Sequence, residues 1–186
     1  MAFPMKRCMC IAVVITSLLA CKVWAQQIIP PDKFFGHPVG ADHKLAKWDK
    51  IVSYFKYVSE NSDKVNTRII GSTMEGRPFI VAEISSPDAI KNRDSHLLDR
   101  KKIADPRLIQ NEQEEERLID KGKVVVYLGC GIHGNEVGAS QMSLELLYDL
   151  ATGTSPEITE ILDNVIVVIT PSRDPDGHDT VTEWYE

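Results

Sequence analysis

Two uninterrupted apolar runs organise the second half of the chain: Val124–Leu128 (Val-Val-Val-Tyr-Leu) and Val165–Thr170 (Val-Ile-Val-Val-Ile-Thr). Runs of this length without polar alternation predict strands buried on both faces of an α/β sheet. Between them, Met142, Leu146 and Leu150 recur every four residues, and Leu147 and Ala151 widen the stripe. This predicts an amphipathic helix over Val137–Thr152, and Ser155–Leu162 predicts a short second one. In the first half, Trp48, Ile51, Val52, Phe55 and Val58 fall on one face of a helix predicted over Leu45–Glu60, an aromatic-bearing stripe suited to a core. Val65–Ile70 and Phe79–Ser85 predict a hairpin-like pair of strands joined by the Gly71–Pro78 turn. Residues 87–120 read as polar and helical, with Glu112, Glu114, Glu115 and Glu116 forming a solvated face. No internal repeat or low-complexity linker divides these elements, which predict one α/β domain.

The first apolar run leads into Gly129-Cys130-Gly131-Ile132-His133-Gly134-Asn135-Glu136. The carboxyl end of a strand is where open α/β sheets place their ligands. His133 and Glu136 form a His-x-x-Glu pair, an imidazole and a carboxylate of the kind that bind zinc at about 2.0–2.2 Å. Gly131 and Gly134 allow the loop to turn beneath an ion. A plain alternative is a loop histidine followed by a glutamate that the dipole of the next helix favours at its first turn. The second run ends in Pro171-Ser172-Arg173-Asp174-Pro175-Asp176-Gly177, which predicts a turn-rich loop. His37, His43 and His96 lie outside any ligand spacing.

Four segments, in order, resemble the zinc carboxypeptidase family of carboxypeptidase A-like metallopeptidases. Gly71-Ser72-Thr73-Met74-Glu75-Gly76-Arg77-Pro78 is similar to an early family turn between two strands. Gly131–Glu136 resembles the first metal loop, which implies His133 and Glu136 as zinc ligands. Pro171–Gly177 resembles the loop after the next strand, with Asp174 where the family usually has asparagine. Asn135 stands where the digestive enzymes have arginine. The opening Pro31–Gly40 and the closing His178–Tyr185 resemble a secreted bacterial branch with longer members. The resemblance implies a mixed central sheet flanked by helices, a zinc cofactor, a peptide or protein substrate, and removal of carboxyl-terminal residues. It also implies a third histidine ligand, substrate-binding arginines and a general-base glutamate further downstream. Residues 26–186 therefore read as the amino-terminal part of a catalytic domain, with weak metal affinity expected from two ligands. His178 is expected in a loop position that the family does not use for zinc. Two other readings share these features: a related zinc deacylase of N-acyl amino acids, and a non-catalytic remnant of the fold.

Residues 1–25 read as a secretory signal, with Lys6 and Arg7 before the apolar Ile11–Ala20 and small residues at Val23-Trp24-Ala25. The apolar stretch is shorter than the ~20 residues that span a bilayer. Leu18-Leu19-Ala20-Cys21 offers a second reading, a lipoprotein anchored through Cys21; both predict export. Cleavage after Ala25 leaves Cys130 as the one cysteine, which excludes a disulfide framework and suits a small buried residue at a strand end. It also removes three cations and no acid from a chain of net charge −6, giving no reason to expect nucleic-acid binding. With 43% hydrophobic and 26% charged residues, the composition is that of a globular protein.

Overall fold

The computed structural model describes residues 27–185, so the candidate export segment and Cys21 lie outside the described residues. Helices α1 (Pro31–Phe35) and α2 (Trp48–Asn61) come first, followed by strands β1 (Val65–Ser72) and β2 (Pro78–Ile84). Next are α3 (Pro87–Lys91), α4 (Arg93–Ala104), a 3-10 turn at Pro106–Leu108 and α5 (Glu112–Lys121). The second half runs β3 (Val124–Gly129), α6 (Val137–Thr152), α7 (Pro156–Asn164), β4 (Val165–Thr170) and α8 (Pro175–Tyr185). The four strands form one mixed sheet in the order β1-β2-β4-β3. β1 and β2 are an antiparallel hairpin with a bulge between Ile69 and Gly71, β2 and β4 are antiparallel, and β4 and β3 are parallel. The α/β class and the mixed sheet agree with the sequence expectation.

The main hydrophobic cluster lies on one face of the sheet. Ile80, Ala82 and Ile84 of β2 alternate inward with Val167 and Ile169 of β4, and α2 and α6 cover this face. Trp48, Ile51, Val52, Phe55 and Val58 of α2 are buried there, as their spacing predicts, and Tyr54 is enclosed with them. Tyr54 reaches out of the core to donate its hydroxyl to Ile29 O at 3.0 Å, which meets the need of a buried phenol for a partner. On the opposite face, the carboxylate of Glu83 is buried and meets Arg93 of α4, with Nη2 at 3.2 Å, and Arg68 of β1 at 3.4 Å. Burial alone pushes the Glu83 carboxyl up, but the two guanidiniums outweigh it and hold it below the usual carboxylate range.

Three expectations need correction. β3 is not buried on both faces: Val124 is 63% and Tyr127 54% exposed, because among the described residues β3 is an edge strand and the polar helices α4 and α5 leave it uncovered. In α6 the expected Leu147, Leu150 and Ala151 are buried and Leu146 packs against the core, but Met142 is 48% exposed, and Ser140 and Leu144 extend the buried face in its place. Finally, Pro175-Asp176-Gly177 and His178 are not loop residues but the start of α8, where proline suits the first helical position. The Glu112–Glu116 run is solvated as expected, save that Glu114 is largely covered and pairs with Lys102.

Two outcomes follow. Arg93→Met leaves a buried carboxylate with only the longer Arg68 contact and is expected to cost about 2–3 kcal/mol in urea unfolding. Since the folded Glu83 value lies below the unfolded one, the pair's contribution is complete above the ordinary carboxylate pKa and is lost on acidification; the variant should show less acid sensitivity. An uncharged edge strand is a template for intermolecular pairing. Tyr127→Lys should therefore reduce concentration-dependent association in sedimentation velocity, with stability changed by only about 0.5 kcal/mol.

Candidate metal centre

The parallel strands β3 and β4 deliver two loops to the same end of the sheet. The ladder continues past the strands, with Cys130 N donating to Thr170 O at 2.9 Å, and Arg173 N to Cys130 O and Gly131 O at 3.1 and 3.0 Å. Cys130 is buried at the strand end, as its size predicts, and burial pushes its thiol pKa up. Gly131 has φ +51°, the left-handed region, and a Cβ there would lie 2.9 Å from Ser140 Oγ. The chain then turns tightly, with Glu136 N donating to His133 O at 3.0 Å.

Glu136 occupies the N-cap position of α6, yet its side chain makes no helix cap. The carboxylate folds back instead: Oε2 accepts from His133 N at 3.0 Å, and Oε1 lies 2.9 Å from His133 Nδ1. The His133 backbone donor first, and the imidazole second, hold the Glu136 carboxyl below its usual range. Both side chains remain open to solvent, at 72% for His133 and 43% for Glu136. An imidazole and an ionised carboxylate converging on one loop are suitable donors for zinc, and an ion held by both would replace their direct contact. Among the described residues, no group of three or more His, Cys, Asp or Glu side chains is arranged to hold a metal. Glu136 also lines an open cleft of about 520 Å³, bounded by Tyr127, Gly129, Ile132, Met142 and Arg173.

The other histidines are engaged elsewhere. His37 Nδ1 lies 3.0 Å from Pro38 O, His43 pairs with the Tyr185 hydroxyl at 3.0 Å, and His96 lies on α4. His178 is 1% exposed and its Nε2 meets Ala46 O at 2.7 Å. Asp174 accepts from Gly177 N at 3.0 Å, which is a turn contact. Two features escape sequence reasoning. Gly134 packs directly on Gly177, where a Cβ on Gly134 would lie 2.3 Å from the Gly177 carbonyl carbon. The Gly71–Pro78 turn is bonded to α8 through Thr73, Arg77, Asp176 and Asp179. No sequence pattern pairs these two segments.

The fold is that of carboxypeptidases. It superposes on thrombin activatable fibrinolysis inhibitor with TM-score 0.55 at 19% identity, covering 86% of this chain and 33% of that one. It also superposes on carboxypeptidase A from Helicoverpa armigera with TM-score 0.51 at 16% identity, covering 74% and 26%. The chain thus spans about a third and about a quarter of these two structures. The zinc carboxypeptidase family model matches residues 51–186, and the chain belongs to that family. A comparison with curated proteins gives no match.

Because the Gly134–Gly177 approach leaves no room for a side chain, Gly134→Ala should displace one loop from the other and cost about 1–3 kcal/mol. Thermal unfolding measures the cost, and amide exchange over residues 131–136 shows whether the loop has moved.

Proposed function

We propose that the protein is a zinc-dependent metallocarboxypeptidase, represented by the amino-terminal part of its catalytic domain, that removes carboxyl-terminal residues from peptides. The observation that supports it is the convergence of His133 and Glu136 at the carboxyl end of β3, in a chain of the zinc carboxypeptidase family. His133 would provide a neutral nitrogen and Glu136 an ionised oxygen to the metal; its lowered carboxyl pKa keeps Glu136 in the form a ligand requires. Bound zinc supplies a Lewis acid for the scissile carbonyl and a water acidic enough to yield hydroxide near neutral pH. The 520 Å³ cleft beside Glu136 gives a peptide chain access to that side of the pair. No general base or carboxylate-binding arginine is assigned within residues 27–185.

The reading extends to export, with residues 1–25 as the signal peptide and residues 26–186 as the domain segment. Among the described residues no helix is long and apolar enough to cross a membrane.

Titration of the purified protein with zinc, followed by metal analysis after gel filtration, tests the site. His133→Ala and Glu136→Gln are each expected to weaken binding by about tenfold or more, and unchanged zinc content in His133→Ala would overturn the ligand assignment. Release of a carboxyl-terminal amino acid from an amino-blocked peptide supports the peptidase. Hydrolysis confined to N-acyl amino acids would move the assignment to the deacylase.

A further inference from the structure

The Gly71–Pro78 turn and the start of α8 are 103 positions apart at Thr73 and Asp176, yet they form one ionic knot. Arg77 gathers three carboxylates: its Nη1 donates to Asp176 Oδ1 at 3.0 Å and to Glu75, and its Nε donates to Asp179 Oδ2 at 2.6 Å. Positions 176 and 179 are neighbours on a helix surface, so both acids face the guanidinium together. Asp176 accepts further bonds from Thr73 Oγ1 at 2.6 Å and Glu75 N at 3.3 Å, and Asp179 Oδ1 accepts one from Trp48 N at 2.9 Å. The knot is shielded, since Arg77 and both aspartates are each about four-fifths covered. Its planar guanidinium bridges two acids in fixed directions, which a single ammonium cannot copy.

What this knot holds is the backbone beside the candidate metal loop. Gly177 follows Asp176 directly, and Gly134, next to His133, rests on Gly177 without room for even a Cβ. A shift in the first turn of α8 is therefore transmitted to the His133 backbone, and closely packed backbone does not absorb such shifts. We infer that Arg77 is a positioning residue for the His133/Glu136 pair, acting through Asp176 and the Gly177–Gly134 contact. The inference rests on the proposed function only in treating that pair as a metal site; the mechanical coupling stands on the geometry.

The test compares Arg77→Met, Arg77→Lys and, as a control that breaks a different buried ion pair, Arg93→Met. The primary readout is amide hydrogen exchange of His133 and Glu136, both hydrogen-bonded within the loop, relative to amides of the β2–β4 ladder. Arg77→Met should accelerate the loop amides about tenfold over the ladder, Arg77→Lys should restore only part of the protection, since its ammonium cannot bridge both aspartates in the same directions, and Arg93→Met should show no selective effect. Zinc titration should show binding weakened severalfold in Arg77→Met and unchanged in Arg93→Met. A loop that exchanges no faster than the ladder in Arg77→Met, or one accelerated equally by Arg93→Met, would overturn the positioning role. If the wild type binds no zinc, the zinc reading fails, and the exchange ratio still decides the role of Arg77.

Discussion

The parallel pairing of β3 with β4 is the constraint on which the site depends. The register runs from Val124 opposite Val165 to Gly129 opposite Thr170, then continues as loop-to-loop bonds through Cys130 and Arg173. Parallel strands end at the same edge of a sheet, so two segments far apart in sequence leave it side by side. The first carries His133 and Glu136, and the second becomes the first turn of α8. Their closest meeting, Gly134 on Gly177, tolerates no side chain. A slip of one residue along the ladder would turn Ile169 and Val167 from the core to the opposite face, so the burial that stabilises the sheet also fixes the loops.

Stability and chemistry are separated across the sheet. The largest buried side chains, Trp48, Tyr54, Phe55, Ile80 and Leu144, lie where α2 and α6 meet β2 and β4. The pair of candidate ligands stands beside the exposed edge strand, next to an open cleft. Hydrophobic burial therefore does little to hold His133 and Glu136 directly. Their geometry comes instead from backbone hydrogen bonds, from glycines that permit close approach, and from the ionic knot around Arg77. Polar networks of this type specify position at modest net stability, which suits a loop whose side chains must stay open to a ligand.

Much of this was legible in the sequence. The α2 stripe, the hairpin around Gly71–Pro78 and the two strands enclosing α6 and α7 follow from periodicity alone. Burial of β3 was not legible, because an apolar run states what a strand tolerates and not whether neighbours cover it. The start of α8 was hidden because Pro-Asp-Gly chemistry serves turns and helix beginnings alike. For Glu136 the sequence allowed either a helix cap or a partner of His133, and only the direction of its carboxylate decides between them. The bonds of Arg77 to Asp176 and Asp179 require knowledge of which ends of which strands adjoin, and that is a property of topology.

His178 shows the difference between a suitable residue and a suitable position. It follows Gly177 directly and so lies close in sequence to the residue that supports Gly134. A carbonyl can only accept, so Nε2 carries the proton in its 2.7 Å bond to Ala46 O, and the ring packs edge-on against Trp48 with centroids 6.3 Å apart. Through Nε2 that imidazole ties α8 to the segment before α2. Recruiting Nε2 to an ion would break that buried hydrogen bond, at a cost of about 1–3 kcal/mol for the stranded carbonyl alone. On the zinc reading, His178 serves the fold, and among the described residues no third side chain is arranged with His133 and Glu136 to hold an ion.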